Sequence, residues 1–287
     1  MTGLIRRLLF KYVHQQWNIA IADIGDDLVP KSIRWMQHDY TDRWFADPFI
    51  IDETEDNYIV LVEEYLRDSK KGRLARLTLS KKDFCLIKNE TILDIATHLS
   101  FPNFIDVKGN TFIYPENSSS GKTYYYEYGS VLHSPMEFSS LPLADAVVFK
   151  NNSNYYLLYT LGENCNGSQL YVSVSKNPLN GYKKCQEITF KDNIARRAGN
   201  VFSWNGRLIS PAQVSNHDYG EGISLQELSF EHGELRLNEI VRMLPPTKDY
   251  SKGFHTYNVY GNKVIIDGYR YGSDLLHFIY FLIRKFI

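Results

Sequence analysis

One pattern recurs five times along this chain and leaves few folds open to it. Each copy opens on a small or polar residue beside Asp, Pro or Gly. An apolar run follows, then a turn, then a second, aromatic-rich run. The copies are ADPFIIDETEDNYIVLVEE from Ala46, SFPNFIDVKGNTFIYPEN from Ser100, ADAVVFKNNSNYYLLYTL from Ala144, AGNVFSWNGRLISPAQ from Ala198 and HTYNVYGNKVIIDGYR from His255. Their turns, Lys108-Gly109-Asn110 and Asn205-Gly206 among them, carry the Asn and Gly that supply positive φ in tight hairpins. Further strand-like runs follow most copies at Arg73–Leu79, Thr123–Tyr128, Gln169–Val174 and Ile223–Leu228. A period of ~44–57 residues with about four strands matches a propeller blade and exceeds a solenoid repeat.

The expected fold is therefore all-β: a single five-bladed β-propeller over residues 1–287. Its blades open near residues 46, 100, 144, 198 and 255. The run WNIAIADI from Trp17 is expected to complete the last blade and close the ring. A pair of β-sandwiches is the weaker alternative, because no Pro-, Gly- or Ser-rich linker divides the middle. Short helical segments at 1–15 and 274–287 are expected to sit peripherally. Their apolar faces with flanking Arg and Lys suit mutual packing or contact with an anionic membrane surface.

Composition removes some functions. With 32 Lys+Arg against 33 Asp+Glu, the formal charge is -1, a poor basis for nucleic-acid binding. The odd number of cysteines, 3, without metal-ligand spacing suits a reduced, cytoplasmic chain, with the inner membrane as a peripheral contact. No P-loop, dinucleotide fingerprint or zinc signature is present.

In a propeller the residues that open the inner strands meet at one mouth of the central channel. Asp47, Pro102, Asp145, residues 197–199 and His255 are thus expected around one cavity. Two carboxylates there suit acid, base or nucleophile roles. Arg196, Arg197, Lys252, His255 and Arg270 offer donors to an anion. Gln213, Tyr219 and Asp267 complete the substrate-binding candidates.

The Ala46-Asp47-Pro48 and Leu143-Ala144-Asp145 openings resemble the five-bladed furanosidase propellers of family-43 glycoside hydrolases. That resemblance implies Asp47 as general base and Asp145 as the group tuning the acid. A closer resemblance rests on His98-Leu99-Ser100-Phe101-Pro102, Tyr114-Pro115-Glu116, Arg197-Ala198-Gly199, Pro211-Ala212-Gln213, Tyr219-Gly220 and His255-Thr256-Tyr257-Asn258. Together these are similar to the N-terminal propeller of glucosamine inositolphosphorylceramide transferases. It implies a carbohydrate-active role, in bacterial versions within surface-polysaccharide synthesis.

One departure matters. Hydrolases of this fold carry a Glu acid at the fourth blade, where this chain has Arg196-Arg197-Ala198-Gly199. Arginine cannot donate a proton at neutral pH. Glu116 is the expected substitute, with Glu64 as an alternative. Loss of an acid and gain of cations point to a glycosyltransferase-like enzyme with a phosphate-activated donor, a pentofuranosyl one being a subcase, and a glycan or lipid-linked acceptor. The alternatives are a hydrolase with a relocated acid and a non-catalytic glycan-binding module. No cofactor is expected; Mg²⁺ between Asp47 and Asp145 has no support from spacing.

Overall fold

The structure, a computed structural model, describes residues 13–129, 134–273, 275, 276 and 279. Strands β1 (Gln15–Ile24) and β2 (Pro30–Trp35) open the chain. The first blade is β3 (Arg43–Glu53), β4 (Asn57–Leu66), β5 (Lys71–Ser80) and β6 (Leu86–Leu93). The second is β7 (Phe104–Val107), β8 (Asn110–Ile113), β9 (Thr123–Glu127) and β10 (Met136–Ser139). The third is β11 (Leu143–Asn151), β12 (Asn154–Leu161), β13 (Gln169–Ser175) and β14 (Lys183–Thr189). The fourth is β15 (Phe202–Trp204), β16 (Arg207–Val214), β17 (Gly222–Glu231) and β18 (Glu234–Met243). The last two strands, β19 (Tyr257–Tyr260) and β20 (Lys263–Tyr271), join β1 and β2 in the order β19-β20-β1-β2. The propeller is thus five-bladed, and its ring closes by pairing the two ends of the chain. That seam runs from Gln15–Tyr271 to Asp23–Lys263 without a shift.

The core lies between blades. Five apolar clusters each bridge one pair of neighbouring blades, such as Val60, Val62 and Leu77 against Ile19, Ile21 and Ile265. Each blade buries both faces, which explains the near-continuous apolar runs in its middle strands. A fully buried Leu or Ile contributes about 1.5–3 kcal/mol, and the clusters hold the blades in a ring. The turns behave as their residues dictate: Lys108-Gly109 and Asn205-Gly206 take positive φ at both positions.

The inner strands differ from expectation in one respect. Those of the first and third blades contain the opening residues, whereas β7, β15 and β19 begin only after them. A shared local geometry still marks the openings. A small residue (Ala46, Ser100, Ala144) is followed by a residue at positive φ: Asp47 at 51°, Phe101 at 45° and Asp145 at 41°. Both aspartates sit in bulges, where the pairing register skips between Ala46 and Phe49 and between Ala144 and Val147. Asp tolerates this left-handed conformation better than most residues, and a bulge re-aims the side chain it carries. At the fourth opening Gly199 is required, because a Cβ there would run into the Tyr257 carbonyl oxygen.

The peripheral role expected of residues 1–12 and most of 274–287 lies outside the described residues. Of the latter segment, Leu275, Leu276 and Ile279 are described, and all three are exposed.

Candidate active site

The bulged aspartates and their neighbours assemble two linked networks where the blade openings converge. The first is built on Asp267 of β20, which is fully buried. Its Oδ1 accepts the backbone N–H groups of His255 and Thr256 at 3.0 and 2.9 Å. Its Oδ2 accepts the Asp47 N–H at 3.1 Å and lies 2.6 Å from His255 Nδ1. The His255 ring stacks on Trp17, centroids 4.0 Å apart, and presents Nε2 3.8 Å from Asp47 Oδ1. Asp47 is held in turn by the Thr256 hydroxyl on Oδ1 and the Phe101 N–H on Oδ2, each at 2.9 Å. Burial raises the Asp47 carboxyl above its ordinary range, partly offset by the His255 charge. Burial works against the imidazolium of His255, but the charges of Asp267 and Asp47 outweigh it and raise its pKa.

The second network is centred on Arg196. Its Nε donates to Asp145 Oδ2 at 2.6 Å, its Nη2 to Glu116 Oε2 at 2.9 Å and its Nη1 to Asn166 Oδ1 at 2.7 Å. Gln213 Nε2 also donates to Asp145 Oδ2, at 2.6 Å, while Gln213 Oε1 is buried without a hydrogen-bond partner. Glu116 accepts the Asp145 N–H at 3.1 Å. Burial pushes Asp145 well above the carboxylate range despite Arg196. Burial opposes the Glu116 charge too, but there Arg196 outweighs it and the pKa falls. Tyr219 closes the rim. It is 39% exposed, meets His255 edge-on at 5.4 Å and lies 5.5 Å from the Arg196 guanidinium.

Of the residues singled out from sequence, Asp47, Asp145, Glu116, Arg196, Gln213, Tyr219 and His255 are thus brought together. Three are not placed as substrate contacts. Arg197 is fully buried, and its guanidinium is spent on the carbonyls of Ile194 and Ala195, Ser210 Oγ and Gln226 Oε1. With no carboxylate partner among the described residues, its pKa is pushed down by burial to about 9. Asp267 is fully buried and braces Asp47 and His255. Arg270 is exposed and stacks over Tyr250 at 4.9 Å, away from the cluster. Glu64, the alternative acid, is locked by Arg43, Arg73 and Asn89 at 2.8, 2.6 and 2.7 Å.

One carboxyl escaped the sequence reading. Glu63 of β4, 5% exposed, lies opposite Ala46 and beside Asp47. Among the described residues its Oε1 has no hydrogen-bond partner; His98 Nε2 stands 3.3 Å away as an ion-pair contact. Burial, then the charges of Asp47, Glu116, Asp145 and Asp267, raise its pKa well above the ordinary value.

Asp47, His255 and Asp267 bring one donor atom each within 4.8 Å of one another, the spacing of a metal site. Their oxygens, however, already accept N–H and O–H donors, which fits a hydrogen-bonded frame better than a cation's ligand set.

Residues 29–260 match the family described as glucosamine inositolphosphorylceramide transferase 1, N-terminal. Over 150 residues the chain is 27% identical to glucosamine inositolphosphorylceramide transferase 1 of Arabidopsis thaliana, covering 47% of this chain and 19% of that protein. The chain therefore spans about a fifth of the length of this curated relative. Among solved structures, a thermostable family-43 glycoside hydrolase aligns with a TM-score of 0.56 at 14% identity, over 82% of this chain and 89% of that one. An alpha-L-arabinofuranosidase from Podospora anserina in complex with cellotriose gives 0.55 at 12%, over 74% and 76%. An exo-1,5-alpha-L-arabinanase from a bovine ruminal metagenomic library gives 0.52 at 11%, over 78% and 93%. At such identities the likeness shows the fold alone. The family match covers most of the chain, and on it this protein belongs to the glucosamine inositolphosphorylceramide transferase N-terminal family, a carbohydrate-related, glycosyltransferase-like family built here on a furanosidase-like propeller.

Proposed function

We propose that the chain acts at the anomeric carbon of a glycosyl unit bound in this cavity, with Asp47 taking the proton of the attacking hydroxyl. One observation carries this. Asp47 is fixed at the channel mouth by a bulge and two hydrogen bonds, with His255 and its Asp267 brace behind it. The raised pKa makes Asp47 a stronger base than a solvated Asp. Arg196 sets the charge of Asp145 and Glu116, and the half-exposed Tyr219 ring offers a stacking face to a sugar.

Whether the attacking hydroxyl belongs to water or to a glycan or lipid-linked acceptor decides between hydrolysis and transfer. Family membership supports transfer. Yet the transferase name belongs to a longer protein, of which the match covers 19%, so transfer by this chain is our reading. A place in bacterial surface-polysaccharide synthesis, at the cytoplasmic side of the membrane, is consistent with it. A phosphate-activated donor, pentofuranosyl or other, is less well supported, because the donors of Arg196 are already engaged by Asp145, Glu116 and Asn166.

The test offers wild type and Asp47→Asn two donor panels: aryl furanosides and pyranosides with and without acceptor alcohols, and nucleotide sugars with phosphoribosyl diphosphate. Turnover of one panel is expected, falling by about 10²–10⁴-fold in Asp47→Asn. Activity that survives the substitution removes Asp47 from the role. A glycan-binding module without turnover has its own supporting observation, since both Asp47 oxygens accept structural hydrogen bonds. It expects glycan affinity in wild type and no product from either panel.

A further inference from the structure

The two networks leave one group without a task. Glu63 is as buried as Asp47, yet Oε1 has no hydrogen-bond partner. A buried, unpaired oxygen is costly to keep unless it serves something. The surroundings are also cut to fit it: a Cβ at Gly72 would run into Glu63 Oε1, the Leu99 carbonyl oxygen and His98 Cε1. His98 Nδ1 accepts the Gly72 N–H at 2.9 Å, which leaves Nε2 as the protonated nitrogen of the neutral ring facing Glu63.

We propose that Glu63 is the proton donor of this cavity, a catalytic acid supplied by the second strand of the first blade in place of one from the fourth. The assignment rests on the reading of Asp47 as base. The charged groups around Glu63 agree with it. Asp47, Glu116, Asp145 and Asp267 all oppose its ionisation, and its ion-pair contact among the described residues is the His98 ring, at 3.3 Å. Tyr65, on its own strand, and His98 complete its titratable neighbours. Burial favours the neutral imidazole at His98, so that ring adds no positive charge. Glu116, the acid expected from sequence, faces the opposite situation, because Arg196 holds it ionised.

The step balances without a further reactant. Glu63 gives its proton to the glycosidic oxygen as the C1–O bond breaks and that oxygen keeps the electron pair. The attacking hydroxyl bonds to C1 through its oxygen and passes its proton to Asp47. Solvent then returns a proton to Glu63 and removes one from Asp47.

The test compares wild type, Glu63→Gln and Asp47→Asn on two glycosides of one sugar, a dinitrophenyl glycoside and an alkyl glycoside. The first leaves without protonation and the second does not. Glu63→Gln is expected to lose about 10²–10⁴-fold on the alkyl glycoside and under about tenfold on the dinitrophenyl one. Asp47→Asn is expected to fail on both. The infrared spectrum at pH 7 is expected to contain a protonated-carboxyl band that Glu63→Gln lacks. Equal losses on the two substrates, or an unchanged band, overturn the assignment while leaving Asp47 in place. A wild type inert on both glycosides, and on the panels above, overturns the reading of the site and Glu63 with it. Should Glu63→Gln not fold, wild type decides alone: raising the pH must slow the alkyl glycoside before the dinitrophenyl one, and parallel profiles refute the proposal.

Discussion

Arg197 separates an architectural arginine from a ligand-binding one, and the structure allows the difference to be worked through. The guanidinium makes five hydrogen bonds of 2.7–3.1 Å, to Ala195 O twice, Ile194 O, Ser210 Oγ and Gln226 Oε1. Arg197→Met keeps the length of the side chain and removes every donor. Ile194 O retains Gln226 Nε2 at 2.9 Å. Ala195 O and Gln226 Oε1 lose the hydrogen bonds that Arg197 supplies, and each orphaned acceptor costs about 1–3 kcal/mol. Against this total of ~2–6 kcal/mol stands the relief of no longer burying a cation. A net loss of about 2–4 kcal/mol follows, roughly 5–15 °C in melting temperature for a domain of this size. Thermal unfolding followed by circular dichroism reads it, with Arg270→Met as control. Arg270 is exposed over Tyr250, so that variant is expected to stay within about 0.5 kcal/mol of wild type. If Arg197→Met melts within about 2 °C of wild type and instead loses ligand affinity, Arg197 faces the cavity and this account of it is wrong.

Other perturbations probe the same geometry. Glu63 has a raised folded-state pKa, so it favours folding below its unfolded value of about 4.3 and loses that contribution as pH rises through the folded value. Relative to Glu63→Gln, wild type is therefore expected to lose melting temperature as the pH climbs above about 5, and parallel curves for the two proteins would count against a protonated Glu63. Gly199→Ala puts a Cβ into the Tyr257 carbonyl; a drop of about 2–4 kcal/mol in urea unfolding is expected, and an unchanged midpoint would show the fourth opening to be looser than drawn. Chelation by EDTA is expected to leave the melting temperature unchanged, since N–H and O–H donors fill the Asp47 and Asp267 oxygens; a fall restored by one divalent cation would turn that frame into a metal site.

The period of the repeat made the fold legible. Hairpin turns such as Asn205-Gly206 and the run at Trp17 left little choice in blade number or closure. Convergence of Asp47, Asp145, Glu116, Arg196 and His255 followed from the topology, since residues that open inner strands meet at one mouth. Glu63 did not follow, for a definite reason. Counting back from the Glu53–Tyr58 pair with regular register sets Ala46 opposite Tyr65. Two register shifts, at Ala46/Phe49 and Ile50/Asp52, bring Glu63 there instead. Bulges of that kind leave no composition signal beyond an Asp before Pro. Arg197 misled in the opposite way, because adjacent arginines look equivalent in sequence. At a strand opening their side chains diverge, and Arg196 turns to the cavity while Arg197 turns to the carbonyls of its own loop.

The balance of charge in the cavity bears on what it admits. Five carboxyl groups, Asp47, Glu63, Glu116, Asp145 and Asp267, face Arg196 and His255 as the cations paired with them among the described residues. Burial raises Asp47, Glu63 and Asp145, and this sheds part of the excess. What remains is no better than neutral. At ~6 Å and an effective dielectric of about 20, one added negative charge meets about 3 kcal/mol of repulsion from each carboxylate and gains as much from each cation. A diphosphate carries at least two such charges into the cavity, whereas a neutral glycosyl unit carries none and develops positive charge at C1 as its bond breaks. Carboxylates stabilise that developing charge. The site thus offers a diphosphate no net attraction, whereas its ionised carboxylates favour the transition state of a neutral donor, and the glycoside panel is the one expected to turn over.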